Sequence, residues 1–133
     1  MPKNYLAIDY GERRVGIAFA NDSVGIAFPR ETIDLSKKDL WAELKRLTEE
    51  NRVTDFVLGM PIHPNNHPDS KQKVVEKFAS ELHAKFPEIE LHTQDESYST
   101  QEATAKIEGQ KNKSRIDKAA AAIILQRFLE GSF

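Results

Sequence analysis

Three acidic positions far apart in the chain share a placement that suits metal chemistry. Asp9 ends the otherwise apolar run YLAID at 5–9. Asp95 and Glu96 follow EIELHTQ at 88–94, where apolar and polar residues alternate as in a strand with one covered face. Asp117 opens IDKAAAAIILQRFLE, and the residues three, four, seven and eleven positions on are Ala120, Ala121, Ile124 and Phe128. That spacing sets its carboxylate on the apolar stripe of a helix, turned toward the body of the protein. Carboxylates gathered at one place repel unless a cation neutralises them. A hard divalent ion with oxygen ligands does so.

Each acid also has an ordinary structural use. An aspartate at a strand end starts turns by accepting from backbone N–H groups two residues on, which would account for Asp9. Ser114 and Asp117 are spaced as a capping box, and an acid favours a helix N-terminus. Adjacent strand residues face opposite ways, so the pattern leaves open whether Asp95 or Glu96 shares Asp9's side.

The elements that must position these groups follow from periodicity. Residues 5–9 and 15–20 read as strands joined by the polar loop YGERR, and 24–33 as a third strand, with Pro29 marking an irregular or edge position. Asp9 then points with Tyr5 and Ala7, away from Leu6, Ile8 and Tyr10. Ser36 offers an N-cap for a helix whose apolar face is Leu40, Trp41, Leu44 and Leu47, and which ends near Asn51. Residues 53–58, VTDFVL, are a buried strand, stopped by Gly59-Met60-Pro61. Asp69 or Ser70 caps a helix with an inward stripe of Val74, Val75, Phe78, Leu82 and Phe86, and Lys71, Lys73 and Lys77 read as its solvated face. A strand at 88–94, a helix from Ser99 to Gly109, a mobile linker at 110–114 and a helix at 115–130, capped by Ser114 and ended by Gly131, complete the chain.

The proline-rich loop IHPNNHPD at 62–69 follows a strand end, where open α/β sheets carry ligand loops. His63 and His67 are four apart, but Pro64 and Pro68 forbid the helix on which that spacing would make a zinc site.

With 133 residues the chain fits one domain, 1–133, with a core of its own. The absence of cysteine excludes disulfides and thiolate metal sites. No apolar run reaches the length of a membrane span and MPKNY is no signal peptide, so a soluble, cytoplasmic protein without a membrane partner is expected. A net charge of −2 gives no global positive field, so a polyanion must meet local basic groups.

The order of three strands, helix, strand, helix, strand and helices, with IDYG, GMP, DES and IDKAAAAIILQRFLE in sequence, resembles the YqgF or RuvX family of RNase H-like nucleases, pre-16S rRNA nuclease-like proteins, over nearly the whole chain. The resemblance implies an α/β fold of the RNase H type: a five-stranded mixed sheet, with a three-strand antiparallel meander and two parallel strands, flanked by helices. The family's acids fall on Asp9, Glu96 and Asp117, with Asp95 matching the acid before the glutamate. Ser97 stands where the family commonly has arginine, Ser99-Thr100 replaces its Thr-Thr pair, and the loop after GMP is longer and richer in proline.

Catalysis by Asp9, Glu96 and Asp117 through one or two Mg²⁺ or Mn²⁺ ions is what the resemblance implies, with Asp9 bridging. Gly11, which lets a phosphate approach the backbone, and Arg13, Arg14, Lys111, Lys113 and Arg115 are the expected nucleic-acid contacts. The expected activity is endonucleolytic cleavage of structured RNA, by family implication at the 5′ end of precursor 16S rRNA, by a monomer or weak homodimer. Three other readings fit the same residues: a resolvase of four-way DNA junctions, an ATPase related to the actin and sugar-kinase group, and a noncatalytic nucleic-acid-binding module. The ATPase requires a second domain of this kind, for which the chain has no room.

Overall fold

A computed structural model describes residues 2–61, 70–96 and 113–131. Five strands, β1 (Asn4–Tyr10), β2 (Arg14–Asn21), β3 (Phe28–Asp34), β4 (Asp55–Met60) and β5 (Glu90–Asp95), form one sheet in the order β3-β2-β1-β4-β5. β1, β2 and β3 pair antiparallel. β4 lies parallel to β1 and β5 parallel to β4, each reached through a crossover helix: α1 (Leu40–Glu50) before β4 and α2 (Ser70–Lys85) before β5. The last helix, α3 (Lys113–Glu130), covers the opposite face of the sheet. The five-stranded mixed sheet and the meander are as expected; the Ser99–Gly109 helix and residues 110–112 lie outside the described residues.

The period-two alternation divides the core cleanly. Leu6, Ile8, Val15, Ile17, Phe56 and Leu58 point to the side of α1 and α2, where Leu40, Leu44, Leu47, Val75, Phe78 and Leu82 meet them. Tyr5, Ala7, Ala18, Ala20 and Val57 point to the other side, against Ala121, Ile124 and Leu125 of α3. The second face is built from small side chains, and this lets a helix backbone lie close to the strands. At Gly16 the approach is closest: a Cβ there would overlap the backbone carbonyl of Asp117.

Several boundaries differ from expectation. The third strand starts at Phe28, because residues 22–27 form a turn closed by Asn21, whose side chain accepts from Val24 N–H. The fourth starts at Asp55 rather than Val53, whose N–H is taken by the Thr48 carbonyl at the end of α1. Asp39, not Ser36, caps α1, with its Oδ2 accepting from Ala42 N–H at 3.0 Å, while the Ser36 hydroxyl donates to Asp34 in the preceding turn. α3 begins at Lys113, so Ser114 lies within the helix and not at its cap. Gly131 ends it as expected, donating to the Arg127 carbonyl.

At the N-terminal ends of β1, β4 and β5 one buried carboxylate is fully compensated. Asp55 accepts from the Thr54 hydroxyl at 2.6 Å and His92 Nε2 at 2.8 Å, with Lys3 Nζ 3.6 Å away. Burial pushes its carboxyl up, but these hydrogen bonds and the lysine charge outweigh burial and hold it below the usual range. A carboxyl lowered on folding adds stability above its unfolded value of about 3.9, and that contribution is lost as pH falls through the folded value. Asp55→Asn should therefore lower stability near neutral pH by about 1–3 kcal/mol and flatten its acid dependence. Urea unfolding at pH 7 and pH 3 checks this, and a wild-type slope in the variant excludes it.

Candidate active site

At the opposite, C-terminal ends of the strands the chemistry is reversed. Asp9 is the penultimate residue of β1 and faces α3, with Tyr5 and Ala7. The register of β5 resolves the choice between the two neighbouring acids. Leu91 packs with the α1 and α2 core, whereas the His92 ring lies 4.9 Å from Phe128 of α3. Continued alternation turns Asp95 away from Asp9 and Glu96 toward it. Glu96 is buried and is anchored by its own N–H, which donates to the Met60 carbonyl at 3.2 Å.

Asp9 and Glu96 meet through their carboxyl groups. Burial pushes the Asp9 carboxyl well above the ordinary range; its hydrogen bond to Glu96 and the Glu96 charge add to the rise, and the Lys71 charge opposes it. Like charges held this close disfavour ionisation of Asp9 as long as no cation lies near it. Their donor set is oxygen only, and the pair carries negative charge when ionised. Both features fit Mg²⁺ or Mn²⁺.

Two glycines make the site sterically feasible. Gly16 is the cross-strand partner of Asp9, and its missing side chain is the space into which the Asp117 backbone fits. Asp117 is thereby set over the strand pair that carries Asp9. Gly59, in β4, faces the same way, and a Cβ there would lie 2.6 Å from Ile124 Cδ1 and 2.9 Å from Glu96 Oε2. Neither glycine carries a sequence signal for this role beyond interrupting an apolar strand.

The Asp117 carboxylate, half-buried, accepts from Arg14 Nε at 2.9 Å. Arg14 opens β2 on the α3 face, so the expected phosphate contact is here the counter-charge of an expected catalytic acid. Arg13 is exposed in the β1–β2 loop, where its carbonyl accepts from Leu35 N–H and its charge helps hold Asp34 below the usual range. Gly11 sits in the same loop, and a Cβ there would crowd the Arg14 carbonyl at 2.5 Å. Lys113 and Arg115 belong to the first turn of α3, with their side chains outside the description, and Lys111 and the 62–69 loop lie outside the described residues. Lys71, read from sequence as a solvated lysine, is on the surface but close enough to act on Asp9. Its position in the first turn after the β4 end was the available signal.

Among the described residues, Asp55, Glu90 and His92 have potential ligand atoms within 4.8 Å of one another. This group lies at the far end of the sheet, and Asp55 there is already served by Thr54, His92 and Lys3.

A raised carboxyl has a cost in stability. The folded state keeps a proton that the unfolded chain releases near pH 3.9, so Asp9's contribution is fully present below that pH and declines as pH rises toward the folded value. Asp9→Asn should raise the melting temperature of the metal-free protein at pH 7 by several degrees, the scale of about 1–2 kcal/mol in a domain of this size. Scanning calorimetry in EDTA checks it, and an unchanged or lowered Tm counts against the raised Asp9 carboxyl. Gly59→Ala should cost about 1–3 kcal/mol by overpacking against Ile124 and Glu96, read as a shifted urea midpoint.

Comparison with known proteins shows the family and the fold. The RuvX family, described as Holliday junction resolvase, matches residues 3–131. A protein of Opitutus terrae named "Putative pre-16S rRNA nuclease" is 33% identical over 134 residues, which cover 96% of this chain and 92% of that protein. Proteins of the same name from Rickettsia africae and Methylobacillus flagellatus are each 34% identical, over 94% and 95% of this chain and 84% and 90% of theirs. The Thermus thermophilus RuvC structure, solved with a Holliday junction substrate, superposes with a TM-score of 0.59 at 13% identity, covering 97% of this chain and 95% of that one, and so shows the RNase H-like fold. The chain belongs to the RuvX family of nucleases.

Proposed function

We propose that this RuvX-family nuclease is a metal-dependent endonuclease that trims the 5′ end of precursor 16S rRNA, with Asp9, Glu96 and Asp117 as its catalytic acids. The observation that carries this reading is the meeting of half-buried Asp9 with buried Glu96, beneath the helix that bears Asp117. The name shared by the relatives from three different bacteria supports the RNA substrate.

A Mg²⁺ or Mn²⁺ ion held by Asp9, Glu96 and Asp117 would supply an activated water and charge stabilisation for the leaving 3′ oxygen. Asp9 and Glu96 would hold the ion with Asp117, and the burial of Glu96 limits how far bulk water screens the charge there. Gly16 and Gly59 fix where the carboxylates sit. Arg14 holds the Asp117 carboxylate in place and compensates its charge. Arg13, Lys111, Lys113 and Arg115 are the remaining candidates for phosphate contacts, and Gly11 for close backbone approach.

A second reading, resolution of four-way DNA junctions, is favoured by the family's description and by the RuvC likeness. Cleavage of a precursor 16S leader RNA and of a four-way DNA junction, assayed side by side in Mn²⁺, separates the two. The expected result is cutting of the RNA, reduced on the order of 10²-fold or more in Asp9→Asn, Glu96→Gln and Asp117→Asn, with unchanged circular dichroism. Cleavage by Asp9→Asn at the wild-type rate would end the proposal.

A further inference from the structure

A cleft of about 330 Å³ lies beside the acid pair, lined by Tyr10, Gly11, Glu12, Lys71, Val74 and Val75. It adjoins the site by covalent continuity, since Tyr10 and Gly11 directly follow Asp9. Because Tyr10 alternates with Asp9, the cleft opens on the α2 side of the strand ends while the acid faces α3. A polymer crossing the C-terminal edge of the sheet therefore meets the acids and the cleft in succession, in the crevice where open α/β sheets take their ligands.

The lining is chemically divided. Four large apolar side chains are exposed among the described residues; Val24, Ile26 and Phe28 cluster around the β2–β3 turn, and Val74, 40% exposed, stands apart from them in this cleft. Tyr10 is held rigidly, stacked on Phe78 at 4.1 Å and 12°, with Trp41 behind Phe78 at 5.5 Å. One wall is thus a fixed aromatic and apolar surface. Lys71 supplies the positive charge, near enough to lower the carboxyl of Asp9. Glu12 supplies an acceptor that repels phosphate and attracts a ribose hydroxyl or a base amine.

We propose that this cleft is a subsite for one unpaired nucleotide next to the scissile phosphate, with Lys71 on its phosphate and Tyr10, Val74 and Val75 against its base and sugar. The proposal rests on the nuclease reading and narrows its substrate to a strand that is single at the cut. Small-ligand pockets begin at about 300 Å³, so the volume is on the scale of one nucleotide. Bases splayed out of a helix are those that proteins stack on aromatic and apolar surfaces.

Fluorescence anisotropy of the full chain in EDTA, where no cleavage occurs, tests it with a labelled single-stranded RNA, the same sequence as DNA, and a blunt RNA duplex. Lys71→Gln and Val74→Asp change exposed positions, and melting temperatures within a few degrees of wild type establish that both fold. Each should weaken single-strand binding about tenfold and leave duplex binding within twofold, and Lys71→Gln should also reduce the salt slope by about one. Tighter RNA than DNA binding assigns a ribose hydroxyl to Glu12; equal binding assigns base and phosphate contacts alone. No single-strand binding by wild type, wild-type affinity in both variants, or equal loss for strand and duplex would overturn the subsite. Loss of cleavage in the Asp9, Glu96 and Asp117 variants alongside wild-type binding by Lys71→Gln and Val74→Asp would sink the subsite and spare the nuclease. Variant-sensitive binding without any cleavage would do the reverse.

Discussion

The contact on which the rest depends is steric: the backbone of α3 resting on β2 at Gly16. A helix packed through ordinary side chains sits about 8–10 Å from its neighbour, and here the strand residue has no side chain at all. The surrounding sheet face continues the theme with Ala7, Ala18 and Ala20, and α3 answers with Ala120 and Ala121. This close approach sets Asp117 over the β1–β2 pair that bears Asp9, and brings Ile124 against Gly59, where Glu96 also lies. A single packing solution thus positions two of the acids relative to the third.

The two ends of the sheet treat buried charge oppositely. Asp55, at the N-terminal ends, has a hydroxyl, an imidazole and a lysine around it and is held ionised. Asp9, at the C-terminal ends, has another carboxyl as its partner and is pushed toward its neutral form. The first arrangement adds to stability; the second subtracts from it, the usual mark of a site kept for binding rather than folding. Arg14 occupies a middle position, stabilising Asp117 at a half-buried place where a cationic ligand would compete with it.

The acids and the cleft lie on opposite faces along the same edge. The acids lie on the α3 side and the cleft with Lys71 and Val74 lies on the α2 side, so a bound strand would be held by elements on both faces of the sheet. The rigid stack of Tyr10, Phe78 and Trp41 ties that cleft to the larger core, so its wall is fixed before any ligand arrives.

The alternation of residues 5–9, with Asp9 at its end, determined which way the first acid faces, because a strand has only two sides. The apolar stripe through Ala120, Ala121 and Ile124 likewise settled that Asp117 turns inward, a consequence of helical period alone. The choice between Asp95 and Glu96 was not legible, since neighbouring residues of one strand differ only by side; the packing of Leu91 and His92 on opposite faces decided it. Nor could the chain alone assign Gly16 and Gly59, whose function is the space they leave for residues more than 30 positions away. Arg14 and Lys71 carried the same ambiguity, because a basic residue's role depends on which carboxylate comes within reach of its charge. Local pattern therefore fixed orientation, and only tertiary packing fixed proximity, because periodicity acts within an element while distance between elements is set by the side chains, or their absence, where they touch.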